Sequence, residues 1–269
     1  MRCLLTIVLA SLAVLPPPAL TADQIARQVQ DRDTGRDSRA ELRMKLFDRH
    51  QRVRERALTL VTLRGREAPG APKTAPDGDR LLIRFTYPND IKGTSFLVWK
   101  HPNSEDERFL YLPSLGRVRR IAGSEAQESF VGSDFSYEDI GGRDLEDFTY
   151  ALLDDHAAWA SPDGTSRPAY RLESRRKDRS AEFPRVVSLV LKDSFLVVGA
   201  DVHNRRDEKQ KVYSVSRLQQ AQGIWTVMAS AMTNGLDQTR TDLAIEKIEY
   251  NTGLKEDAFT RRALEGARQ

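Results

Sequence analysis

The sequence predicts a mainly β fold, β-rich α+β. Antiparallel strands roll into a half-barrel, with helices and a loop lid closing an apolar cavity. Three observations predict it. Runs of alternating apolar and polar residues recur at short intervals from Ala40 to Ile248. Nearly all the turns between them are too short for a parallel crossover. Helical spacing is confined to the two ends of the chain.

Taken in order, Asp23 to Arg36 reads as a short helix, with Ile25 and Val29 at helical spacing and "DTGRDS" ending it. The period then changes to two. Ala40, Leu42, Met44 and Leu46 alternate with Arg39, Glu41, Arg43 and Lys45, a strand with one apolar and one wet face. Arg52 to Leu63 forms a second strand, and "GREAPGAPKTAPDG" (Gly65 to Gly78) a long loop. Leu81, Ile83, Phe85 and Tyr87 make the next alternating face. Ser95 to His101 and Arg108 to Leu112 form a hairpin around "PNSED". Strands follow at Asp147–Leu153, Ala169–Arg176, Val186–Leu191, Phe195–Val202, Val212–Leu218, Ile224–Met232 and Thr241–Ile248, before a tail helix at Glu256–Leu264.

The amino terminus predicts the compartment. Arg2, an apolar run from Leu4 to Leu15, three prolines and the small residues of "ALTAD" form a secretory signal peptide over residues 1–22. Cleavage after Ala22 fits best and after Thr21 second. The apolar run is too short to span a bilayer about 30 Å thick. Residues 23–269 then form a single domain. The sequence's only cysteine, Cys3, leaves with the leader, so the mature chain has no disulfide, thiolate nucleophile or cysteine metal site. A cysteine-free exported chain fits the bacterial periplasm. The formal charge of +3, from 42 basic and 39 acidic residues, describes a mixed wet surface and no nucleic-acid partner.

Chemistry is sparse. His50, His101, His156 and His203 have no metal-ligand spacing, and no metal or cofactor is expected. No serine sits in a nucleophile elbow. Asp134, Glu138 and Asp139 provide the one carboxylate cluster that a hydrolase would use. Dense acids among Gly and Ser more often cap turns and pair with nearby arginines such as Arg143.

The aromatics carry more. "LYLPSLGRVRRIAGSEAQESFVGSDFSYEDIGG" (Leu110 to Gly142) has no regular period, yet holds Phe130, Phe135 and Tyr137. A loop that folds rings over the mouth of a rolled sheet uses residues this way. The expected lining of the covered groove is Phe96, Trp99, Phe109 and Tyr111 from the preceding hairpin, with Trp225 and Met228 from a late strand.

The segments "LYLPSLGRVRRIAGS" and "GSDFSYEDIGGRDL", with "RQVQDRDTGRDSRAELRMKLFD" before them and "DAFTRRAL" at the end, resemble the outer membrane lipoprotein-sorting protein family, the LolA-like periplasmic proteins. The resemblance covers essentially the whole mature chain. It implies a LolA/LolB-like half-barrel that binds lipid or lipoprotein acyl chains without catalysis. It also implies transfer between inner and outer membrane, transient membrane contact and a monomer. Members of this branch look like companions of RND/MMPL-type inner-membrane exporters. The general lipoprotein carriers are smaller and hold the lid with an arginine that no residue here matches by position. A hopanoid, glycolipid or other free lipid therefore stands beside lipoprotein as cargo. Two other readings remain: an exporter-bound adaptor that never carries lipid free, and the hydrolase.

Overall fold

The computed structural model describes residues 19–66, 75–102 and 104–266; most of the signal peptide expected at residues 1–22 lies outside them. Helix α1 (Ala22–Asp31) starts at a capping box. The Thr21 hydroxyl accepts the Gln24 N–H, and the Gln24 side chain accepts the Thr21 N–H at 2.8 Å. Cleavage at either expected position would remove Thr21. The helix is shorter than its periodicity predicts, because the Asp33 carboxylate accepts the Gly35 N–H and Gly35 adopts φ 68°.

Six strands follow: β1 (Asp37–Phe47), β2 (Val53–Leu63), β3 (Arg80–Tyr87), β4 (Ser95–Trp99), β5 (Glu107–Leu112) and β6 (Arg117–Ile121). A connecting segment, residues 122–147, holds the short helix α2 (Tyr137–Gly141). Seven more strands complete the sheet: β7 (Phe148–Ala160), β8 (Ser166–Arg176), β9 (Arg185–Leu191), β10 (Val197–His203), β11 (Lys209–Ala221), β12 (Ile224–Asn234) and β13 (Thr239–Tyr250). The expected tail helix is broken. A 3-10 turn at Glu256–Phe259 precedes α3 (Arg261–Glu265), which Thr260 caps through the Ala263 N–H at 3.1 Å.

Among the described residues thirteen strands form one open antiparallel sheet in the order β6-β5-β4-β3-β2-β1-β13-β12-β11-β10-β9-β8-β7. Each half is a meander whose neighbours in sequence are neighbours in space. The halves join where β1 pairs with β13, with Met44 opposite Leu243 and Leu42 opposite Ile245. This leaves β6 and β7 as the two free edges. Residues 122–147 connect those edges and therefore cross the sheet.

Alternation sorts the first half into two buried faces. Ala40, Leu42, Met44, Phe85, Phe96 and Leu110 point to the face that the crossing segment covers. Leu82, Leu97 and Phe109 point the other way and are covered by Phe259 and Leu264 of the carboxy-terminal segment. On the far half, α1 packs Ile25 and Ala26 against Leu172 and Val190. No described helix is long and apolar enough to cross a membrane.

Candidate functional site

The crossing segment works as a strap fastened at several points. Near its middle, Asp134 accepts hydrogen bonds from the hydroxyls of Thr239 and Thr241 on β13, the latter at 2.7 Å, while Lys211 on β11 donates to the Asp134 carbonyl at 3.0 Å. Towards β7, Glu138 on α2 accepts from Arg176 on β8. The Arg176 guanidinium also stacks 4.5 Å from the Phe148 ring centroid. Asp139 closes the capping box of α2 by accepting the Ser136 N–H at 2.9 Å, and pairs with Arg143 at 3.1 Å. Burial works against the Arg143 charge, yet Asp139 and Glu138 hold its pKa above the usual arginine value. Towards β6, Arg56 on β2 donates to the Val131 carbonyl at 2.6 Å. Val131 has φ 50° and ψ 39°, a left-handed conformation that is strained for a β-branched residue.

Over β1 to β6 the strap packs tightly. Phe130 and Tyr137 join Phe85 and Phe96 in an aromatic cluster with ring centroids 5.3–5.9 Å apart. Over the other half it leaves space. A cavity of about 570 Å³ lies between the strap, α1 and the strands β7 to β13. Its size falls inside the range of small-molecule sites, roughly 300–1,000 Å³. Ala26, Val29, Ile140, Val190, Val197 and Met232 give it an apolar wall.

The residues expected to line this cavity are placed in five different surroundings. Phe135 does line it, buried and edge-on to Tyr213 at 6.4 Å. Phe96, Phe130 and Tyr137 are brought together, in the packed cluster beside it. Trp99, Phe109 and Tyr111 lie on the opposite face of the sheet. There the Trp99 indole N–H donates to the Phe259 carbonyl at 2.6 Å and Arg261 stacks on Phe109 at 4.3 Å. Trp225 belongs to a cluster with Trp159 and Leu191, under the Arg167 guanidinium at 4.3 Å. Met228 is buried without reaching the cavity.

Sequence reasoning missed the polar members of the wall: Arg32 at the end of α1, Tyr150 on β7, Tyr213 on β11 and Ser230 on β12. Burial raises the Tyr213 phenol and pushes that of Tyr150 to about 12. Arg176, in the charged run "RRKDR" (Arg175 to Arg179), is nearly buried. No local pattern marks it, because its partner lies 38 residues earlier. Among the described residues no group of three or more metal-ligating side chains comes together.

Fold and cavity together define a class: open half-barrels that keep an apolar cavity under a strap joining their two edges. A family model described as that of an uncharacterized protein matches residues 77–266. The chain belongs to that family, and its fold is LolA-like. It is similar to a crystal structure titled as an outer membrane lipoprotein-sorting protein domain, from Vibrio parahaemolyticus. Identity is 28%, TM-score 0.77, with 90% of this chain and 97% of that one covered. A DUF1329 family protein from Desulfovibrio piger gives 29% identity and TM-score 0.77 over the same shares of the two chains. A LolA superfamily protein from Nitrosomonas europaea shares the fold, with TM-score 0.66 at 16% identity over 91% of this chain and 100% of that one. No curated protein matches the chain.

Proposed function

We propose that this protein is a periplasmic carrier that holds the acyl chains of a lipid or lipoprotein in the cavity under the strap. It takes them between inner and outer membrane after its leader is removed. The observation that carries this reading is the apolar cavity of about 570 Å³ bounded on one side by a covalently continuous strap. A 16-carbon chain in water costs on the order of 12 kcal/mol, at about 0.8 kcal/mol per methylene. A lipid crossing an aqueous compartment therefore needs such a wall.

The strap's carboxylates support binding over hydrolysis. Asp134, Glu138 and Asp139 each hold a structural partner, so none stands free beside the cavity as an acid or base. Arg56 fastens the strap to β2 through the Val131 carbonyl. The sequence resemblance extends the reading to an RND/MMPL-type exporter as partner.

Lipid mass spectrometry on protein isolated from its own periplasm tests the proposal. One class of acylated lipid or lipoprotein at near-equimolar amount is expected. Protein that arrives empty, and that also fails to bind a fluorescent fatty acid, would overturn the reading.

A further inference from the structure

The cavity wall is apolar with a few charged groups, and those groups do not balance. Its carboxylates are Asp79, Glu138 and Asp139. Asp79 stands 3.7 Å from Arg64 and accepts the Gly65 N–H, Glu138 holds Arg176, and Asp139 holds Arg143. Among the cations, Arg143 is thus spoken for, and Lys100 lies 4.0 Å from Asp106 and donates to the Arg143 carbonyl. Arg32 is left over. Among the described residues its side chain makes no hydrogen bond or ion pair. Asp33, the acid nearest in sequence, turns to the Gly35 N–H. Arg64, the neighbouring arginine, is occupied by Asp79, Thr34 and the Gln30 carbonyl.

Arg32 is only part-buried, so its guanidinium faces the open cavity with no protein acceptor beside it among the described residues, in a wall that is otherwise largely apolar. Burial pulls the Arg32 pKa below the usual arginine value, and the group stays charged. Its fork of donors matches a carboxylate or phosphate, and the phenol of Tyr213 lines the same cavity.

Building on the carrier reading, we propose that the cargo is an anionic amphiphile whose carboxylate or phosphate head group pairs with Arg32 while its chain lies along Val29, Val190 and Met232. The head group supplies the acceptor that the protein withholds. A neutral lipid of the same chain length would fill the cavity and leave the cation unpaired.

Displacement of a fluorescent fatty acid from the full mature protein near neutral pH tests this. Palmitate, hexadecyl phosphate and hexadecanol are compared on the native chain and on Arg32→Gln. Native protein is expected to prefer both anions over the alcohol by about 10-fold or more, as for a charge-assisted pair. Arg32→Gln is expected to abolish that preference, keep the alcohol affinity, and melt no lower than native protein, since it removes an uncompensated charge. Arg32→Lys is expected to keep part of the preference. Equal affinities on native protein, or an anion preference that survives in Arg32→Gln, would overturn the head-group assignment while leaving the carrier reading intact. Failure of all three amphiphiles to bind would remove both. Inorganic phosphate is the control for source. If it binds native protein at Arg32 without displacing the probe, the site serves a free anion and the assignment fails.

Discussion

Arg176 on β8 holds Glu138 on α2, and the same guanidinium reaches Asp147 at 3.2 Å and stacks on Phe148. One side chain thus ties the strap to the far half of the sheet beside the cavity. Glu138 is nearly inaccessible, whereas Asp147 is largely exposed.

Glu138→Gln should therefore weaken the protein itself. Breaking a buried pair by removing one partner costs about 3–5 kcal/mol. Asp147 remains to Arg176, so the lower end of that range, about 3 kcal/mol, is expected from denaturant unfolding. Combining Glu138→Gln with Arg176→Gln should cost less than the two single changes added together. Strict additivity would show that the pair does not fasten the strap.

Phe130 and Phe135 lie five residues apart on the same strap and should behave differently. Phe130 is wholly inaccessible among Phe85, Phe96 and Tyr137, so Phe130→Ala should cost about 3–5 kcal/mol of stability. Phe135 presents its ring to the cavity, so Phe135→Ala should cost clearly less while weakening the binding of a fluorescent fatty acid or speeding its loss. Melting temperature and probe affinity measured on both variants decide this. A Phe135→Ala protein that loses stability but binds the probe normally would make Phe135 ordinary packing.

The strands were legible because alternation is local, and β1 to β5 were placed within a few residues. The side of the sheet was not. Phe96 and Trp99 sit on one strand of five residues and face opposite ways, and both faces are apolar because the carboxy-terminal segment covers the outer one. Nothing within β4 says which face is concave. Strand β6 was missed because an edge strand reading Arg-Val-Arg-Arg-Ile is wet on most positions. In β7, irregular pairing between Leu152 and Ala157 breaks the alternation, so the strand runs on to Ala160 unseen. The β1–β13 pairing, which makes the crossing segment a strap, links residues about 200 apart in sequence and has no local signature. Of the three aromatics that pointed to a lid, Phe135 faces the cavity while Phe130 and Tyr137 pack in the core beside it, a division that a stretch without period does not reveal.

Arg56 and Val131 give the strap its second fastening. A hydrogen bond from a charged donor contributes about 1.5–3 kcal/mol, and here it also holds Val131 in a left-handed conformation that is itself unfavourable. Arg56→Met keeps the apolar stem against Phe85 and removes the bond. The strap should then open more often. Release of a bound fluorescent fatty acid, followed by stopped flow, is expected to accelerate about 10-fold or more. An unchanged release rate in a destabilised variant would mean that strap opening does not limit release.

Tyr150 reports on the dryness of the cavity wall. Its hydroxyl donates to the Leu145 carbonyl at 3.3 Å, and burial pushes its pKa to about 12, against the opposing pull of Arg143. An ordinary tyrosine ionises near 10. The folded state therefore favours the neutral phenol, and the sign follows. The stability that Tyr150 contributes is fully present below about pH 10 and is lost as pH rises from there to about 12. Tyr137, Tyr213 and Tyr250 are shifted in the same direction by burial, so the measurement needs a difference. Ultraviolet phenolate titrations of the native chain and of Tyr150→Phe should differ by one group titrating near pH 12. Urea unfolding should show the native protein losing its advantage over that variant across the same interval. A difference spectrum centred near pH 10 would place Tyr150 in water, and this side of the cavity would then be too wet to hold an acyl chain.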